Sequence, residues 1–360
     1  MAGDFRPATK RKSQIETRKL KNDLLKFAAA VVVYAGFSVY LYRPHFEGFR
    51  WTDYLYVLNS AAGAAGCLVL SRRWIAGFLG SFFAGAIYGF GPFLLGLGLG
   101  KYHPAAGFLA ASVPWLLWPA AAVGRSRKWG WAAWPLSVLP FLAVVVFFQL
   151  CESMRFFPMS AQARLHLSDL GGLAAPLAAA RRGVGSVNLV GFYHVPVAPF
   201  VVGVCMLVAA RRMSVMAICV AGTVLACSKS VLGISPIIWL SFPVVCCSVL
   251  VGMGLEGLSS AGVGDRRWVL ATGAVTGALT VVTLLLATKH FQVFAELGNG
   301  YGKVFIRTAQ MYITATLATA IIFFLARANV RMHWVRLAIL ASAMAVDIFF
   351  GAVFIVDAIY

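Results

Sequence analysis

Acidic residues are scarce in this chain. Asp and Glu number 12 against 31 Lys and Arg, and only 12% of the 360 residues are charged. Soluble domains carry about 25% charged and about 45–50% apolar residues. At 61% hydrophobic, the sequence lacks the polar surface that a water-soluble fold needs. The net charge of +19 does not indicate nucleic acid, because the basic residues sit in short clusters between apolar runs instead of lining one soluble face.

Catalytic and metal motifs are missing as well: there is no HExxH, no GxSxG and no CxxC. The seven cysteines (Cys67, Cys151, Cys205, Cys219, Cys227, Cys246 and Cys247) lie mostly in apolar runs and read as buried free thiols. Cys151 and Cys227, near predicted membrane edges on one side, are the one pair placed for a disulfide. No metal site is expected. Nor is there a polar stretch long enough to fold as a separate soluble domain.

What the sequence does have is apolar runs of membrane-crossing length. About 20 residues cover about 30 Å of hydrocarbon, and eleven spans follow: 27–42, 52–70, 75–99, 104–123, 131–150, 187–210, 214–227, 235–258, 268–288, 311–326 and 337–358. The seventh is the shortest and reads as a re-entrant or broken element. Residues 1–26 form a basic tail with eight Lys or Arg, and 27–360 form one transmembrane domain. The expected architecture is all-α, a polytopic helical membrane bundle.

Loop charge orients it. Arg72 and Arg73, then Arg125, Arg127 and Lys128, then Arg211 and Arg212, then Arg266 and Arg267, then Arg327, Arg331 and Arg336 all fall on the side of the tail. The positive-inside rule makes that side cytoplasmic, with the N-terminus in, the C-terminus out, and longer external loops at 151–186 and 289–310. The predicted location is the cell inner (plasma) membrane, with the lipid bilayer as the first partner. Trp51, Trp74, Trp129, Trp131, Trp268 and Trp334 fall at span ends and read as interfacial anchors.

Polar groups within the spans are few enough to consider singly. Asp347 lies about ten residues from each end of the last span, where a charge costs about 2.5–3.5 kcal/mol unless paired, hydrated or protonated. Ala343, Asp347 and Gly351 recur every four residues, so the acid is expected to share a small-residue face turned inward. Glu256, near the inner end of the eighth span, is expected to reach the interface or pair with Arg266 or Arg267. In the third span Gly77, Ser81, Gly85 and Gly89 form a ridge for close helix packing, and beyond Gly91 the residues Pro92, Gly96, Gly98 and Gly100 loosen the helix, which reads as a kinked scaffold helix, with a broken helix exposing backbone dipoles to a substrate as the alternative.

In "NLVGFYHVPVAPFVVG" (188–203), Tyr193 and His194 precede Pro196 and Pro199. "SPIIWLSFP" (235–243) repeats the proline theme, and interrupted helices are where transporters place binding sites. Of the six histidines only His194 lies clearly inside a span, so a b-type haem held by two intramembrane histidines is disfavoured. Trp115 and Trp118 read as core packing, with a flat apolar ligand such as a quinone as the alternative.

Three function classes follow. The leading one is a transporter whose cavity lies near the third, sixth, eighth and eleventh spans, with Asp347, His194, Tyr193, Gly91 and Pro92 as substrate or coupling candidates. A second is a non-catalytic subunit of a larger membrane complex, such as a respiratory one. The third is an enzyme acting on a lipid or lipid-linked substrate at the external face, drawing on Glu152, His166, Asp169 and His103.

Overall fold

The computed structural model describes residues 7–49, 51–75, 77–99, 104–124, 126, 128–153, 202–204, 213–228, 230–289, 300–328 and 333–359. Among these the chain is all-helical, the only strand-like feature being an isolated bridge between Val231 and Ile234. In chain order the helices are α1 (Pro7–Tyr42), α2 (Tyr54–Ser71), α3 (Phe78–Phe90), α4 (Pro92–Leu99), α5 (Pro104–Val123), α6 (Ala133–Ser153), α7 (Met213–Cys227), α8 (Pro236–Trp239), α9 (Ser241–Ser260), α10 (Arg266–Lys289), α11 (Gly300–Arg327) and α12 (His333–Ile359).

Nine helical segments among the described residues are long and apolar enough to cross a membrane, which makes the fold compatible with a multi-pass membrane protein. They coincide with nine of the eleven expected spans. The seventh expected span is α7, 15 residues long and thus short for a crossing. The sixth, 187–210, lies outside the described residues apart from 202–204. Two boundaries differ from the sequence reading. Helix α1 runs back to Pro7 through the basic tail, and α11 begins at Gly300, inside the expected 289–310 loop.

The stretch Pro236–Ser260 is buried along most of its length, with Val244, Glu256 and Gly257 half-buried and Ser260 exposed. Helices α2, α3, α5, α7 and α12 pack around α9, while α6 lies against α5, α1 against α2, and α10 and α11 pair and join the bundle through α12. Peripheral helices show apolar side chains outward: Val32, Val33 and Val39 on α1, Val138, Leu142 and Val146 on α6, Leu270, Val281 and Leu285 on α10. Such faces suit lipid. Trp51, Trp129, Trp131, Trp268 and Trp334 are exposed at helix ends, whereas Trp74 is half-buried against the core.

In lipid, apolar side chains have no water to escape, so close helix contact rests on small residues. A Cβ on Gly80 of α3 would stand 2.7 Å from the Gly252 carbonyl oxygen of α9, and one on Gly252 would strike the Gly80 carbonyl in turn. On the other side of α3 the expected ridge meets α2: a Cβ on Gly85 would lie 2.5 Å from the Ala64 oxygen, and one on Gly89 would collide with the Ser60 carbonyl. Helix α3 is thus held backbone to backbone on two sides.

Candidate functional site

Helix α12 turns Leu340, Met344, Ile348, Ala352, Ile355 and Val356 into a core shared with Phe83, Ile87 and Phe90 of α3, Leu95 of α4, and Val251 and Leu255 of α9. Asp347 borders this face and is 9% exposed; Gly351 is buried beside it and Ala343 half-buried. The acid therefore points into the protein. Its electrostatic neighbour is Tyr312 of α11, itself 7% exposed. Tyr312 and Asp347 stand at matching distances from the 327–333 connection, so the two antiparallel helices bring them to one depth.

Hydroxyls continue from this pair into the α10–α11 seam. Thr272, Thr276, Thr280 and Thr283 recur along one face of α10, with Thr316 and Thr319 opposite on α11. Gly273 and Gly277 allow the approach: Cβ atoms there would lie 3.5 Å from Thr319 Cγ2 and 3.8 Å from Thr316 Cγ2. The Thr280 hydroxyl can donate to Thr276 O at 2.9 Å and that of Thr316 to Tyr312 O at 2.7 Å, while the two oxygens stand 3.2 Å apart. One of these two hydroxyls donates to the other, which links the helices across the seam. One turn before Tyr312, the Thr308 Oγ1 is fully buried with no hydrogen-bond partner among the described residues.

At Gly91 and Pro92 the helix is broken, where a kink was the first expectation and a break the alternative. Helix α3 ends at Phe90, Gly91 is extended at ψ 163°, and α4 restarts at Pro92 with Leu95 N–H donating to Gly91 O at 3.2 Å. Proline has no N–H, so the Tyr88 carbonyl loses its helical donor. A Cβ at residue 91 would meet the Ile87 carbonyl, which is why glycine occupies the break. Both α3 and α4 pack on α12, so the interruption stands beside the helix that carries Asp347.

The structure thus gathers parts of the third, eighth and eleventh expected spans. Tyr193, His194, His166, Asp169 and His103 lie outside the described residues, and Glu152 sits in the last turn of α6. Tyr312 and the threonine seam were missed in the sequence reading, although the spacing of Thr308, Tyr312, Thr316 and Thr319 marks a polar face on α11.

Two charged groups have roles other than those expected. The Glu256 carboxylate, expected to pair with Arg266 or Arg267, accepts the Gly77 N–H at 2.9 Å and so caps the N-terminus of α3. Arg336, expected in a solvated inner loop, is 6% exposed and donates to the Ala261 carbonyl at the C-terminus of α9. Both fasten the central helices at the same end of the bundle. Glu256→Ala is expected to lower stability by about 1–2 kcal/mol, as for loss of a helix cap, while Glu256→Gln keeps most of it. Melting of the purified protein in detergent measures this, and an Ala variant as stable as wild type would contradict the capping role.

Of the two tryptophans expected in the core, Trp115 is 42% exposed and Trp118 half-buried. Trp115 Nε1 donates to Ala62 O at 3.0 Å with its ring against Gly66, and Arg73 lies 4.8 Å over the Trp118 ring. Cys151 and Cys227 are free thiols. Among the described residues no group of three or more His, Cys, Asp or Glu is arranged to hold a metal. No family model, no curated protein and no solved structure matches this chain.

Proposed function

We propose that this chain is a transport protein of the cell inner membrane, with Asp347 as its proton-coupling group. The observation that carries the reading is the Asp347 carboxyl, buried midway along α12 beside Tyr312. An acid held there costs several kcal/mol unless paired or protonated, and such groups mark substrate and proton pathways. The hydroxyl seam that begins next to Tyr312 and the interruption at Gly91–Pro92 in helices packed on α12 support it, since transporters are built on interrupted helices. In this reading the chain crosses the membrane eleven times, N-terminus inside and C-terminus outside.

Alternating access is the property that separates a carrier from a structural subunit. In a background with all seven cysteines replaced, Thr316→Cys places a thiol one turn from Tyr312. Small impermeant thiosulfonates are expected to modify it from either side of the membrane, in right-side-out and inverted vesicles alike. Modification from one side only, or from neither, would overturn the transport reading.

A further inference from the structure

Cys219 of α7 and the adjacent pair Cys246 and Cys247 of α9 are 27 and more residues apart in sequence yet meet in space. The Cys246 and Cys247 thiols are buried and lie within hydrogen-bonding reach of the Cys219 sulfur, while Cys219 is only half-buried. The helices approach closely here. One turn along α7, a Cβ on Gly222 would stand 2.6 Å from Pro243 Cδ and 2.8 Å from Phe242 Cβ of α9. Antiparallel packing carries that contact on to the level of Cys219 and Cys246. Backbones this near bring Cβ atoms toward the roughly 3.5–4.5 Å that a disulfide requires. Cys67, the next thiol inward, is fully buried and directed to the Ala84 carbonyl at 3.4 Å.

We propose that Cys219, Cys246 and Cys247 form a thiol–disulfide exchange site. Cys219 is the entry point because it alone of the three is part-exposed, on a helix whose neighbouring Val220 and Val224 are 60% and 61% exposed on the outer face. The co-reactant is therefore an apolar disulfide that dissolves in the bilayer. Cys219 loses its proton and attacks one sulfur of that disulfide, whose S–S bond breaks, and the departing thiolate takes up the proton. Cys246 or Cys247 then attacks the Cys219 sulfur of the mixed disulfide, its proton leaving with the second thiolate. Two cysteine thiols and one small disulfide become one protein disulfide and two small thiols. The product ties the short helix α7 to the central helix α9.

The test uses the full chain with Cys151, Cys205 and Cys227 changed to Ala, treated in detergent with 4,4′-dithiodipyridine. Release of two thiopyridones per chain, no retained adduct, and a peptide linking Cys219 to Cys246 or Cys247 are expected. Cys219→Ser, shown to be folded by its melting temperature, is expected to abolish the release. One thiopyridone with a stable adduct on Cys219 would overturn the pairing, no release would overturn the exchange, and a link through Cys67 would overturn the assignment.

Discussion

Gly252→Leu is expected to leave almost no folded protein. The side chain would have to occupy the position of the Gly80 carbonyl on α3, with Ile75 Cδ1 2.7 Å and Ala84 Cβ 3.0 Å from its first carbon. Backbone cannot move aside as a flexible side chain does. The two helices must separate, and α9 is the helix around which α2, α3, α5, α7 and α12 are assembled. Overpacking a well-filled core costs about 1–3 kcal/mol, and displacement of a central helix lies at or beyond the upper end. Gly36→Leu is the control: a Cβ there meets nothing within 4 Å, so wild-type abundance and melting are expected. Fluorescence-detected size exclusion of the two variants measures the contrast. A monodisperse Gly252→Leu protein with wild-type melting would show that α3 and α9 do not cross at this point.

That crossing also shows how far the sequence could be read. Periodicity four in Gly77, Ser81, Gly85 and Gly89 pointed to one face of α3, and Gly85 and Gly89 do meet α2 there. Gly80 lies off that ridge, and the helix it meets is more than 150 residues away in sequence. Local spacing says that a backbone can be approached, but not by which helix. Helix lengths were legible because membrane crossing is a constraint on each segment alone. The interruption at Gly91–Pro92 was legible, as a kink or a break, for the same reason, since proline acts on its own helix. Glu256 was expected at the interface or beside Arg266 or Arg267 and Arg336 in a connection, yet both bind backbone groups at the ends of other helices. For Asp347 the four-residue spacing with Ala343 and Gly351 indicated the inward face, while its neighbour Tyr312 depends on how α11 and α12 pair.

Asp347→Asn is expected to accumulate and melt as wild type does, because the amide keeps the shape and the hydrogen-bonding atoms of the acid. Interhelical polar contacts in membrane proteins average about 0.6 kcal/mol, which bounds the loss. Function is expected to fall to background, since an amide cannot take up and release a proton. Asp347→Leu separates the structural contribution: it removes the carboxyl beside the buried Tyr312 and is expected to lower melting. If the acid were purely structural, the Asn variant would keep full function. A Leu variant equal to wild type in abundance, melting and function would remove Asp347 from any role.

The central claim is that Asp347 exchanges a proton across part of the membrane, and charge movement reads this without knowledge of the substrate. Proteoliposomes of the full chain are adsorbed on a solid-supported membrane and given a pH jump. Wild type is expected to produce a transient current as protons enter the protein; Glu256→Gln is expected to retain it and Asp347→Asn to abolish it. An unchanged current in Asp347→Asn, or none in wild type, would contradict the account.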